Sequence, residues 1–116
     1  PMDATHREFV DQVTVLSTIA DGAAVSFLEK FIAHTEAHFE AENQWMKRSA
    51  FPPLHCHAGE HQRVIMSLKS VLSMTRRGNP GLARVAAQEM ARWFENHAAT
   101  MDAALAAHMR RTQFAP

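Results

Sequence analysis

The sequence predicts an all-α fold, an antiparallel up-down-up-down four-helix bundle, on three observations. Apolar residues recur at three- and four-residue intervals along four long segments, the period of a helix with one buried face. Runs of β-branched residues with period-two alternation are missing, so no strand is expected. Three breaks interrupt the pattern, Asp21-Gly22, Phe51-Pro52-Pro53 and Gly78-Asn79-Pro80-Gly81. Connections this short turn successive helices antiparallel.

The first helix is expected to open at Asp3 or Thr5, both N-capping residue types, with Thr5 and Glu8 spaced as a capping box. It runs to about Ala20 and carries the stripe His6, Phe9 or Val10, Val13, Leu16, Ala20. The second spans about Ala23 to Ser49, with Phe27, Phe31, His38, Glu42 and Met46 in phase. The third spans about Leu54 to Arg77, with His57, His61, Val64 or Ile65, Leu68 and Leu72 in phase. The fourth takes the remainder to about Arg111, with Leu82, Val85, Glu89, Trp93, His97, Met101 and Leu105 in phase. Lys47-Arg48, Arg76-Arg77 and Arg110-Arg111 each fall in a last turn, where cations favour the helix dipole.

Bulk properties narrow the function. A chain of 116 residues can bury a core without disulfides, and residues 1–116 are read as a single domain. Beginning at Pro1, the sequence reads as an excised or trimmed piece. Twelve basic residues balance twelve acidic ones, so no nucleic-acid partner is expected. The single cysteine, Cys56, cannot close an internal disulfide, which fits a reducing compartment and a cytoplasmic location. No apolar run approaches the roughly 20 residues of a membrane span, so no membrane partner is expected. Nothing in the composition fixes an oligomeric state.

The chemistry lies in seven residues. His6 stands alone, His38 and Glu42 are four apart, His57 and His61 are four apart, and His97 is followed by Asp102. Residues four apart share one helix face and can reach one ion. A lone inward histidine is ordinarily a hydrogen-bonded core residue, and His/Glu pairs are common on helix surfaces. Topology changes the balance. At about 1.5 Å rise per residue, all seven fall within roughly two or three turns of one bundle end. A metal-free network of five imidazoles and two carboxylates would need every buried group satisfied. Imidazoles and carboxylates from several helices are instead the usual ligands of a carboxylate-bridged metal pair, of iron and also of manganese or zinc.

The other polar residues carry less. His34, one turn before His38, is read as packed or solvated, with a supporting role behind the ligands as the alternative. His55 is read as exposed, Cys56 as packing and His108 as a solvated surface group. Trp93, one turn before His97, is expected mainly in the core and able to line the site. The five-residue spacing of His97 and Asp102 gives about 500° of rotation, about 140° off alignment. Either Asp102 approaches from another side, or a π-bulge realigns the pair.

The chain resembles the hemerythrins, particularly the bacterial hemerythrin-like domains. The resemblance rests on Asp3-x-x-His6, His38-Phe39-x-x-Glu42-x-x-x-Met46, Phe51-Pro52, His57-x-x-Glu60-His61 and Trp93-x-x-x-His97-x-x-x-x-Asp102, which span nearly the whole chain in order. It implies a non-haem di-iron centre that binds dioxygen reversibly. Carried over, His57, His61 and His97 would hold one iron and His6 and His38 the other. Glu42, Asp102 and an oxo or hydroxo group would bridge them. The two-histidine iron then keeps an open position for dioxygen, with Phe94 and Ala98 lining the pocket. Four departures stand out. Only two residues precede Asp3, where the family has a longer arm. Asn43 replaces a common second glutamate and is read on the surface side. His34 replaces a common aromatic, and Ala98 replaces a bulky isoleucine, which predicts a roomier, wetter pocket.

The expected function is therefore dioxygen storage, delivery or sensing, with no enzymatic role. The rival readings are a di-iron enzyme acting on peroxide or nitric oxide and the oxygen-sensing module of a larger receptor.

Overall fold

The computed structural model describes residues 2–112, with side chains from His6 onward. Four rods make up the fold. They are α1 (Met2–Ser17), α2 (Ala24–Arg48), α3 (Leu54–Arg76) and a fourth built of α4 (Gly81–His97), a π-helical turn (Ala98–Asp102) and α5 (Ala103–Arg111) without a gap. A 3-10 turn, Asp21–Ala23, leads into α2. No strand occurs among the described residues. Helix α1 packs on α2 and α4, and α3 packs on α2 and α4, so the rods close into a four-helix bundle about 48 Å long.

Helix α1 starts at Met2, ahead of both expected caps. The side chains of Asp3 and Thr5, and with them the capping box to Glu8, lie outside the described residues. The helix stops at Ser17, so Ala20 falls beyond it and is exposed. Phe9, Val13 and Leu16 form its buried stripe, and Val10 faces solvent.

The stripe of α4 departs from expectation. Ala83, Ala87, Met90 and His97 are buried, whereas Val85 and Glu89 are exposed. A stripe stepped by four residues drifts about 40° per step against the helix period. Three such steps back from His97 therefore carry Val85 out of the core, and only alternating steps of three and four stay on the buried face.

Two helix ends are closed by the same device. After α3, Gly78 adopts φ 103°, its N–H reaches Thr75 O and the Asn79 N–H reaches Met74 O. After α2, Ala50 takes the same role at φ 54°, with Ala50 N–H on Lys47 O and Phe51 N–H on Met46 O at 2.9 Å. Both are Schellman motifs, which glycine fits without a steric penalty. Phe51 then packs with Met46, Leu105 and Met109. His108 is not the solvated group expected from sequence. Its Nε2 donates to Ser49 O at 2.7 Å and its ring leans on Phe51 at 5.2 Å, because α5 passes directly over the end of α2.

Two apolar clusters result. The larger includes Phe9, Leu28, Phe31, Phe39, Leu68 and Ala87, and the smaller is the group around Phe51. Along α2, α3 and the fourth rod, the chain passes from one cluster to the other through His38–Glu42, His57–His61 and His97–Asp102. The polar residues thus occupy a layer between two dry cores. Relieving the left-handed strain at Ala50 gains roughly 1–2 kcal/mol, offset by roughly 0.4–1 kcal/mol of extra unfolded-state entropy. Ala50→Gly is accordingly expected to stabilise the bundle by about 0.5–1 kcal/mol in urea unfolding.

Candidate metal centre

All four rods contribute to the polar layer, and two carboxylates organise it. Glu42 is fully buried on α2. Its Oε2 lies 2.8 Å from His38 Nε2 and 3.8 Å from His6 Nε2. Its Oε1 lies 3.3 Å from both His57 Nε2 and His61 Nε2. Asp102 repeats the division: Oδ2 is 3.0 Å from His6 Nε2, and Oδ1 is 3.0 Å from His57 Nε2 and from His97 Nε2. Each carboxylate therefore turns one oxygen toward His6 and its side of the cluster, and the other toward the three remaining imidazoles. The ligand atoms of Glu42, His57, His61, His97 and Asp102 all lie within 4.8 Å of one another, as do those of His6, His38 and Glu42.

Asp102 reaches this position through the π-turn. Hydrogen bonds from i to i+5 bring residues five apart onto one face. His97 and Asp102, misaligned on a regular helix, meet at 3.0 Å across the turn Ala98–Asp102.

The imidazoles are held from behind. Phe39 stacks flat on His61 at 4.0 Å and 4°, and Trp93 stacks on His97 at 4.4 Å and 21°. Phe94 stands edge-on to His6 at 5.1 Å and leans on Phe9 at 4.5 Å. The outer nitrogens of two rings have partners: His61 Nδ1 donates to Asn43 Oδ1 at 3.0 Å and His97 Nδ1 to Glu60 Oε1 at 3.2 Å. Those bonds leave the Nε2 lone pairs of the neutral rings pointing inward.

Charge is tightly coupled across the layer. Burial pushes the Glu42 carboxyl up, but His38, His57, His6 and His61 outweigh it and hold the group far below the usual carboxylate range. Burial likewise raises Asp102, and His57, His6 and His97 together bring it below its ordinary value. Contact with Asp102, then Glu42, pushes His6 up to about 9 against burial. Burial lowers His57, yet Asp102 and Glu42 overcome it and raise that ring to about 9 as well. His61 goes the other way, because burial dominates there.

This arrangement fits cations better than it fits itself. His57 Nε2 and His61 Nε2 lie 3.1 and 3.3 Å from His97 Nε2. With Nδ1 carrying the proton in both, the lone pairs of His61 and His97 face each other and repel, and a shared cation turns that repulsion into attraction. Both oxygens of Glu42, Oδ1 of Asp102 and Nε2 of His6 are buried without a hydrogen bond of acceptable geometry. Buried polar atoms left in that state are costly, and a metal would satisfy all four. Nitrogen and oxygen donors of this kind suit iron, manganese or zinc.

The model of the hemerythrin HHE cation-binding domain matches residues 1–109. The chain belongs to the hemerythrin family. It is 39% identical over 100 residues to a bacteriohemerythrin of Ralstonia nicotianae, a match that covers 86% of this chain and 73% of that protein. No solved structure matches the chain significantly.

Other residues of this hemerythrin domain fall differently from their sequence readings. Asn43 is half-buried and turned onto His61, not onto the surface, because α2 packs on α3 along that side. Glu60, whose part sequence spacing left unassigned, faces α4 and holds His97. A carboxylate one residue before His61 and three after His57 was the available signal. Cys56 is exposed and does not pack. His34 stands 3.3 Å from Glu8, away from the cluster, in keeping with its reading as packed or solvated and not with the supporting role. Ala98 is half-buried at the first position of the π-turn. No helix among the described residues is long and apolar enough to cross a membrane.

The electrostatics predict how the metal-free protein responds to pH. His6 and His57, raised from 6.5 to about 9, contribute stability that is complete below pH 6.5 and lost as pH rises through 9. Glu42 and Asp102, lowered from 4.5 and 3.8, contribute stability that is present above those values and lost as pH falls. His61, lowered from 6.5, opposes the other two histidines and costs stability as pH falls below 6.5, so urea unfolding of the metal-free chain should show a maximum near pH 6.5, with a decline toward 9 and toward acid. Metal, which displaces those protons, should flatten the alkaline limb.

Proposed function

We propose that this chain is a non-haem di-iron protein that binds dioxygen reversibly, for storage, delivery or sensing. His57, His61 and His97 hold one iron, His6 and His38 hold the second, and Glu42 and Asp102 are shared between them. The observation that carries the reading is the division of each carboxylate, one oxygen to each histidine group. When bound, the iron pair supplies the electrons that a dioxygen molecule takes up and returns.

The chain's own residues set the conditions for that exchange. Three histidines against two makes the centre lopsided, so the exchangeable position belongs beside His6 and His38. Phe94 stands edge-on to His6 with Phe9 behind it, an apolar wall on that side. Phe39 and Trp93 lock the rings of His61 and His97 on the opposite side. The titratable groups of the cluster are all engaged as ligands, and Glu60, the further carboxylate on the cluster, is bonded to His97 Nδ1. Kinship with a bacteriohemerythrin supports the same reading.

The deciding experiment is iron quantification with an aerobic absorption spectrum, followed by deoxygenation. Roughly two irons per chain and a colour that bleaches and returns are expected. Catalytic consumption of peroxide or nitric oxide without reversible colour would assign an enzyme instead. Glu42→Ala removes a ligand from both positions and should cut iron content to below half, whereas His38→Ala should leave about one iron per chain. Ala98→Ile narrows the turn beside His97 and should lengthen the lifetime of the oxygenated form a few-fold, read as the rate of autoxidation.

A further inference from the structure

We propose that Asn43 is a positioning residue that keeps the reduction potential of the iron pair high by giving His61 a neutral hydrogen-bond partner. The inference rests on the di-iron reading above and specifies how the chain tunes that centre.

Three imidazoles face one side of the cluster, and their outer nitrogens are treated in three ways. His97 Nδ1 meets a carboxylate, Glu60, at 3.2 Å. His61 Nδ1 meets an amide oxygen, Asn43, at 3.0 Å. His57 Nδ1 is buried with no hydrogen-bond partner. A partner on Nδ1–H fixes the tautomer and draws the proton outward, which sends electron density to Nε2. A carboxylate does this most strongly and gives the ring imidazolate character. An amide oxygen orients the ring equally well and brings no charge.

Stronger donation at Nε2 stabilises the more oxidised metal and lowers its potential. The cluster already holds the buried charges of Glu42 and Asp102, with Glu60 beside them. Asn43 spares it a fourth carboxylate and so favours the reduced form, the one that takes up dioxygen. His61 has little freedom to choose another acceptor. Phe39 stacks flat on its ring, and the nearby carboxylates of the same groove are committed elsewhere, Glu36 to Lys69 and Glu40 to Gln44.

The test is a redox titration of the iron-loaded protein, monitored by absorption, on the wild type, Asn43→Asp, Asn43→Gln and Gln62→Glu. Gln62 is exposed in the same groove, so its variant adds an equal charge off the ligand. Asn43→Asp is expected to move the oxidised-to-reduced ratio at a fixed potential about tenfold toward oxidised, roughly 59 mV for one electron. Asn43→Gln, which keeps a neutral amide, should stay near the wild type, and Gln62→Glu should shift the ratio by much less than Asn43→Asp. An unchanged ratio in Asn43→Asp, or an equal shift in Gln62→Glu, overturns the role of Asn43 while leaving the di-iron reading intact. Failure of the wild type to hold iron overturns the di-iron reading itself, and this inference with it.

Discussion

Two carboxylates buried among five imidazoles are the constraint to which the rest of the structure answers. An ionised carboxylate withdrawn from water is tolerated only where cations or well-placed donors meet it. Glu42 and Asp102 are met by imidazoles on both oxygens, from α1, α2, α3 and the fourth rod at once. The compensation therefore cannot form until all four rods are in place. It ties the polar layer to the topology of the bundle.

The layer is bounded by apolar packing on either side of it. The larger apolar cluster closes it toward the α1–α2 connection, and the cluster around Phe51 closes it at the other end. Low local dielectric strengthens every interaction inside, including the repulsion between the facing Nε2 atoms of His61 and His97. That repulsion is the physical pressure toward a bound metal. Family membership supplies the same conclusion independently, since the matching model describes a cation-binding domain.

Irregular backbone does much of the positioning. The π-turn Ala98–Asp102 costs helical regularity and in return brings Asp102 onto the face of His97. The left-handed Ala50 closes α2 sharply enough to set Phe51 over the smaller core, edge-on to His57. Both departures from ideal geometry sit next to the polar layer, where strain retained in a fold commonly serves a function.

Much of this was readable in the residue order. Four helices, their breaks and the gathering of His6, His38, Glu42, His57, His61, His97 and Asp102 at one level follow from helical period and rise, which are local properties of the chain. The awkward spacing of His97 and Asp102 left two resolutions open, approach from another side or a π-bulge, and the structure takes the second. The α4 stripe was misread by stepping four residues at a time, an error of phase that accumulates with distance from His97. What only the tertiary structure decided are relations between rods: which carboxylate oxygen faces which imidazole, that Asn43 and Glu60 back two rings while His57 Nδ1 has no partner, and that Phe94 touches His6. Helical period fixes the face on which a residue lies. The neighbour it meets there depends on how the rods are rotated and staggered against one another, and that is set by the packing of the whole core.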